Sequence, residues 1–205
     1  MDLSPLAERH TFGLNKIYMM EDRGVNLNLS YHVAVNEYVV QQSVKKFHSL
    51  KCPSFISYEW GRKHLGTGPG IYYIATSAPF TFVEELHRPI NPGRTVTYCA
   101  MQIAYYMGFR QVFLIGVDHN FKAQGKPNEL QTMEGEAPNH FAPGYFGGQQ
   151  WQLPDLAGSE AAYGLARFYF EKDGGGIFDA TVGGKLNIFP KVSYEEALAA
   201  CEKKT

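Results

Sequence analysis

The sequence lacks several features that would place the protein in a specialised class. Its three cysteines, Cys52, Cys99 and Cys201, are too few and too scattered for a disulfide framework or a zinc site. No apolar run reaches the roughly 18 residues needed to span a bilayer. Residues 1–10 lack the basic and apolar regions of a signal peptide. These absences predict a cytoplasmic protein without a transmembrane segment.

The sequence also lacks a strong excess of either charge, and it lacks the common nucleotide and hydrolase motifs. Its formal net charge of −1 gives no support for broad electrostatic binding to nucleic acid or to an anionic membrane. It contains no Gly-x-x-x-x-Gly-Lys-Ser/Thr loop, no Gly-x-Gly-x-x-Gly after a strand and no Gly-x-Ser-x-Gly elbow. Its 205 residues, 44% of them hydrophobic, are sufficient for one folded domain, which we predict over residues 1–205.

Strand-like and helix-like segments alternate along the chain. Apolar runs predict strands at residues 12–18, 31–36, 53–58, 71–75, 112–117 and 177–181. Helical spacing and capping signals predict helices at residues 37–50, 95–107 and 159–172, and a last helix that opens at a capping box from Ser193 to Glu196. This alternation predicts an α/β domain with a mostly parallel sheet.

Residues 119–158 show no clear periodicity, which predicts a long loop or a lid over a site. The aromatic residues Tyr145, Phe146 and Trp151 in this segment can stack on a base, a pterin or a sugar ring. They can equally form a satellite hydrophobic cluster that pins the loop.

The segment from Asn91 to Thr95 predicts an anion site at the start of a helix. Gly93 allows close approach of the backbone, Arg94 adds charge, and the amides of Arg94, Thr95 and Val96 are expected to be free. The alternative is an ordinary capped helix after a turn.

Polar residues follow the predicted strands, at the edge where ligands bind in parallel sheets. The amides of Asn15 and Asn36 can bond a base, a ribose or a phosphate, although each asparagine can also form a turn. Asp118 can hold a cation or a sugar hydroxyl, and His119 or His140 can act as acid or base. Asp179 and Thr181 lie towards the end of the last predicted strand. A loop histidine can also be a purely structural hydrogen-bonding residue.

These residues lie in segments that resemble a known superfamily. FGLNKIY (12–18), YHVAVN (31–36), residues 95–121, NHF (139–141), residues 159–171 and DATVGGKL (179–186) resemble the domain of archaeal 6-hydroxymethylpterin diphosphokinases and bacterial polysaccharide-cluster proteins (DUF115). That domain is similar to motility accessory factor glycosyltransferases and, more distantly, to family 42 sialyltransferases. The most specific part is the helix, glycine and strand from Thr95 to Asp118, which includes Gly116.

The resemblance implies a Rossmann-like, three-layer transferase with a nucleotide co-substrate. In the sialyltransferase branch the donor is a CMP-sugar and no metal cofactor is expected. The positions that match its nucleotide site are Asn15, Asn36, Gly93, Arg94, Thr95, Gly116, Asp118 and His119. In the pterin branch the co-substrate is ATP, and Asp118 is expected to hold Mg²⁺. Across the two branches the acceptor is a glycan or a small molecule, and a homo-oligomer is possible.

Two features depart from the family pattern. The family opens with a strand and a Gly-x-Gly-Pro-Ser loop that this sequence does not contain, so we expect a central strand and part of the nucleotide site to be missing. The catalytic base is also unassigned, with His140 and Tyr145 as candidates beside Asp118. Three hypotheses follow: a glycosyltransferase, a Mg²⁺-dependent diphosphokinase, or an inactive truncated binding domain.

Overall fold

The structure is a computed structural model that describes residues 1–77, 80–120, 125–132, 150–201 and residue 203. The first part of the chain builds one parallel sheet. Its strands are β1 (Phe12–Leu14), β2 (Tyr31–Ala34), β3 (Ser54–Ser57) and β4 (Ile71–Ile74), in that spatial order. Its helices are α1 (Glu37–Gln42), α2 (Val44–Ser49) and α3 (Tyr58–His64), with two 3-10 helices at Ser4–Glu8 and Ile17–Arg23.

The second part of the chain adds a parallel pair of strands and the longest helices. Its helices are α4 (Val96–Tyr106), α5 (Leu156–Lys172) and α6 (Tyr194–Ala200). Strand β5 (Gln111–Leu114) pairs in parallel with β8 (Gly176–Asp179), and β6 (Leu130–Thr132) forms an antiparallel pair with β7 (Gln150–Gln152). The fold is mixed α/β with parallel strands flanked by helices, as in a Rossmann-like three-layer fold, which confirms the predicted class.

The core is built on both sides of α4. One cluster joins α4 to α5, β5 and β8 and includes Tyr98, Met101 and Phe170. A second cluster joins the other face of α4 to β2 through Cys99 and Val33. Because both faces of α4 are apolar, the helix is buried along nearly all of its length. It therefore holds the two parallel sheets against each other.

The structure corrects two predicted boundaries in the first part of the chain. The predicted strand at 12–18 ends at Leu14, because Asn15 adopts a positive φ of 51° and a 3-10 helix follows. The predicted helix at 37–50 breaks into α1 and α2 at Ser43, whose hydroxyl bonds the Tyr18 hydroxyl at 2.9 Å. Helix α3 was not predicted at all.

Further corrections lie in the second part. The predicted strand at 112–117 ends at Leu114, and the predicted loop at 119–158 contains the strands β6 and β7. Helix α5 begins at Leu156 and is capped by Asp155, so Ser159 lies inside the helix and does not cap it. The capping box between Ser193 and Glu196 is confirmed. No helix within the described ranges is long and apolar enough to cross a bilayer.

Candidate functional site

The candidate site lies where strands end and two helices begin. Because paired strands within each sheet run in parallel, Asn15 and Asn36 follow adjacent strands at one edge, while Asp118 follows β5 and Asp179 ends its neighbour β8. The chain folds back after Gln152 to start α5.

Asn15 forms the turn that ends β1. Its amide donates to the Val33 carbonyl at 2.9 Å, and its own carbonyl is bonded by His32 Nε2 at 2.8 Å. The side-chain oxygen Oδ1 is buried and has no hydrogen-bond partner among the described residues. The backbone of Asn15 therefore has a structural role, while its side-chain oxygen still needs a donor.

Asn36 caps α1. Its Oδ1 accepts a hydrogen bond from the Val39 amide at 3.3 Å, and its Nδ2 donates to Gln152 Oε1 at 3.3 Å. A second hydrogen bond, from Gln42 Nε2 to the Gln150 carbonyl at 3.3 Å, also connects α1 to β7. The side chain of Asn36 thus joins strand β2 to the segment before α5. A ligand would have to displace Gln152 to use its amide group.

The turn before α4 is held by its own hydrogen bonds. The Gly93 amide bonds Asn91 Oδ1 at 2.9 Å, the Thr95 amide bonds the Pro92 carbonyl at 3.0 Å, and Thr95 Oγ1 accepts from the Thr97 amide at 3.3 Å. The expectation of a free Thr95 amide was therefore wrong. The amides of Arg94 and Val96 have no hydrogen-bond partner among the described residues.

Gly93 has a packing reason for its identity. It has a φ of 55°, and a Cβ at this position would lie 2.3 Å from the Tyr98 ring and 2.8 Å from Ala162 Cβ. The absent side chain lets the turn pack against α4 and α5. This contact accounts for the glycine without any approach by a ligand.

Arg94 lies between the starts of α4 and α5. Its Nε is 3.6 Å from Asp155 Oδ2, and Asp155 Oδ1 caps α5 by accepting from the Gly158 amide at 2.9 Å. The Arg94 side chain is 63% exposed and has a positive φ of 63°. An exposed cation thus lies beside two helix N-termini, although one carboxylate already balances part of its charge.

The end of β5 is open to solvent. Gly116 has a φ of 74°, and no described residue lies within 4 Å of a Cβ built there. Asp118 is exposed, its carbonyl accepts from the Lys185 amide at 2.8 Å, and its carboxylate forms no ion pair or hydrogen bond with any described residue. The Asp118 carboxylate is therefore available to a ligand.

His119 is held against α5. It has a φ of 49°, its side chain is 9% exposed, and its Nε2 lies 2.8 Å from Glu160 Oε1. Thr95 Oγ1 contacts the Tyr163 hydroxyl at 3.3 Å on the same helix. Positions 160 and 163 are neighbours on one helix face. Thr95 and His119 therefore each contact α5, through residues on one face of that helix.

Two buried polar groups have roles that sequence reasoning did not assign. Asp179 is fully buried, bonds Lys191 Nζ at 2.5 Å and accepts from the Thr181 amide at 2.8 Å. His32 is fully buried against Phe47, and burial lowers its pKa to about 4. Both residues hold the fold at a strand end. The patterns of their segments gave no sign of these long-range contacts.

Several predicted residues lie outside the described part of the chain. His140, Tyr145 and Phe146 are among them, and the side chain of Trp151 is not described either. Within the described residues, no group of three or more histidine, cysteine, aspartate or glutamate side chains could hold a metal ion. If Mg²⁺ binds at Asp118, phosphate and water must therefore supply most of its ligands.

Comparison of the chain with protein-family models, with curated proteins and with solved structures found no match. Function is therefore inferred from the geometry of the carboxyl ends of the strands.

Proposed function

We propose that the protein is a nucleotide-dependent transferase, a sialyltransferase-like glycosyltransferase that uses a CMP-sugar donor to build cell-surface glycan. One observation carries this proposal: the first turns of α5 contact both Arg94 and Thr95 at the start of α4 and His119 after β5. The start of α4 offers free amides and an exposed cation, and the residue before His119 offers an exposed carboxylate. The phosphate of a sugar nucleotide can bind the amides and the cation, and its hydroxyl groups can bind the carboxylate.

The phosphate of the nucleotide is assigned to the start of α4. The amides of Arg94 and Val96 are unpaired within the described structure, and the helix dipole adds positive potential at that end. These fixed groups would stabilise negative charge as CMP leaves. Asn15 and Asn36 are assigned to the nucleotide, with the buried Oδ1 of Asn15 as an acceptor that still lacks a donor.

The reaction would be a direct displacement. A base, with His140 and Tyr145 as the candidates, removes the proton from an acceptor hydroxyl. The acceptor oxygen then forms a bond to the anomeric carbon, and the bond from that carbon to the CMP phosphate oxygen breaks. The assigned role of Asp118 is to bond sugar hydroxyl groups and so orient the donor.

Calorimetric titration with CMP, UDP and ATP tests the proposal. We expect CMP to bind, with binding weakened at least about tenfold in Arg94→Gln because a phosphate contact worth roughly 1.5–3 kcal/mol is lost. Arg62→Gln is the matched control, since Arg62 lies in α3 and contacts the Tyr58 ring. Absence of binding heat with all three nucleotides would exclude the proposal.

The second candidate is diphosphate transfer from ATP to a pterin alcohol, and the unpaired Asp118 carboxylate favours it as a Mg²⁺ ligand. EDTA separates the two reactions, because diphosphate transfer needs the metal and the displacement of CMP does not. A protein that binds a nucleotide but turns over neither donor would instead be the inactive binding domain.

A further inference from the structure

A cavity of about 500 Å³ lies between strands β1 and β5, and we call it the inter-sheet cavity. Helix α4 forms one wall with Ala100, Met101 and Ala104. The opposite wall includes Ala197 and Leu198 of α6. The cavity thus occupies the middle layer of the fold, between two layers of helices, where strands normally lie.

One edge of the inter-sheet cavity is the unpaired side of β1. Strand β2 bonds the backbone of β1 on the other side, through the Tyr31 amide to the Thr11 carbonyl at 3.0 Å and the Asn15 amide to the Val33 carbonyl at 2.9 Å. Successive residues in a strand direct their peptide groups to alternate edges. The amide and carbonyl groups of Phe12 and Leu14 therefore face the cavity, and no described residue bonds them.

The other edge is the unpaired side of β5. Strand β8 pairs with the other side of β5. The Gly176 amide donates to the Arg110 carbonyl at 2.8 Å, and the Ala180 amide donates to the Leu114 carbonyl at 2.9 Å. By the same alternation, the amide and carbonyl groups of Gln111 and Phe113 face the cavity. They also have no bonding partner among the described residues.

The two edges begin at the same end of the molecule. The Phe109 ring, just before β5, lies 5.7 Å from the Phe12 ring and 5.7 Å from the His10 ring. A strand that enters the cavity can therefore run parallel to β1 and to β5 at once. It would continue two ladders that already exist, those of β1 with β2 and of β5 with β8.

We propose that the inter-sheet cavity binds one extended apolar peptide strand, supplied by a segment that is not part of residues 1–205, and that this strand joins the two parallel sheets into one. The cavity walls are mostly apolar, so both faces of the bound strand would carry mainly apolar side chains. The occupant is a peptide because only a backbone supplies donors and acceptors to both edges at the spacing of a sheet.

A hydrocarbon ligand fits the cavity less well. It would leave the backbone groups of both edges unpaired, and each buried unpaired group costs about 1–3 kcal/mol. Arg9 at the cavity wall adds to this demand, because its buried Nε has no hydrogen-bond acceptor among the described residues and its Nη1 has only an ion pair with Glu8 at 3.7 Å. The carbonyl groups of a peptide are acceptors of the kind that these nitrogens need.

Hydrogen exchange with a synthetic peptide tests the proposal. The probe has about five consecutive valine and isoleucine residues between terminal lysines, and its control has proline at the centre, which removes one donor and blocks pairing. We expect the valine–isoleucine peptide to slow exchange at least about tenfold at the amides of Phe12, Leu14, Gln111 and Phe113. The amides of Asn15 and Ala180, which are already bonded, should not change.

Variants on α6 locate the bound peptide. Leu198→Lys places a charge on the cavity wall and should weaken peptide binding at least about tenfold. Ala199→Lys adds the same charge at an exposed position of the same helix and should leave binding unchanged. Equal binding of the proline peptide, protection at other amides, or protection that appears without peptide as the protein dimerises would each overturn the proposal.

Discussion

The carboxyl ends of the paired strands β5 and β8 each lead into an aspartate, but the two aspartates have opposite surroundings. Asp179 is buried and holds Lys191 Nζ at 2.5 Å together with the Thr181 amide. Asp118 is exposed, and its carboxylate has no partner among the described residues. Adjacent strands thus end in one region that holds the fold and one region that is free to meet a ligand.

Glycines show the same division. Gly93 and Gly116 both have a positive φ, yet a Cβ at Gly93 would strike the Tyr98 ring, whereas a Cβ at Gly116 would meet no described residue within 4 Å. We call Gly93, His32 and Asp179 the fold-bearing residues and Gly116 to Asp118 the open segment. Both groups contain a glycine with positive φ and an aspartate, so residue type alone does not identify a site.

The largest expected difference is between the two glycines. Gly93→Ala should destabilise the protein by about 4 kcal/mol, because overpacking of about 1–3 kcal/mol adds to a left-handed backbone cost of about 1–2 kcal/mol. Gly116→Ala has only the backbone cost and should lose about 1 kcal/mol. Chemical denaturation of both variants measures the difference. Equal losses would remove the packing role of Gly93.

The two aspartates should differ somewhat less. Asp179→Ala leaves Lys191 without its partner, and we expect a loss of about 3 kcal/mol, at the low end for a broken buried pair because Lys191 is 41% exposed. Asp118→Ala should change stability by less than about 0.5 kcal/mol. The same denaturation measurement applies, and a large loss for Asp118→Ala would make that residue structural.

A smaller effect is expected from pH at His32. Its pKa is lowered from 6.5 to about 4 by burial, so the unfolded chain binds a proton before the folded one does. Stability should therefore fall as pH drops below about 6.5, by about 2 kcal/mol between pH 7 and pH 5 from this group. His32→Gln should flatten that slope in denaturation curves recorded across the range. An unchanged slope would show that other groups cause it.

Local signals in the sequence were sufficient for much of the fold. The apolar spacing from Val96 to Met107 predicted α4, and the capping box at Ser193 predicted the start of α6. One signal failed where a distant partner decides the structure, because Ser43 breaks a helix where its hydroxyl meets Tyr18. A local signal was also missed, since Asp155 caps α5 one turn before the predicted cap.

The site was harder to predict for the same reason. Asp118 and Asp179 look alike in the sequence, and only the position of Lys191 separates them. The family resemblance predicts an absent central strand, and the described residues leave one edge of β1 and one edge of β5 unpaired. The inter-sheet cavity as the position of that strand stays a prediction. The side-chain periodicity of one strand does not show whether another strand pairs with its free edge.

Titration of the isotopically labelled protein with CMP, followed by amide NMR, tests the central claim most directly. If the open segment belongs to a nucleotide site, the amides of Gly116, Val117 and Asp118 and those of Arg94 and Val96 should shift together along one binding curve. The amides of Ala180 and Val192, which flank the fold-bearing Asp179 and are bonded within the fold, should not follow that curve. Saturable binding that shifts only the region around Asp179, or no shifts at all, would contradict the account.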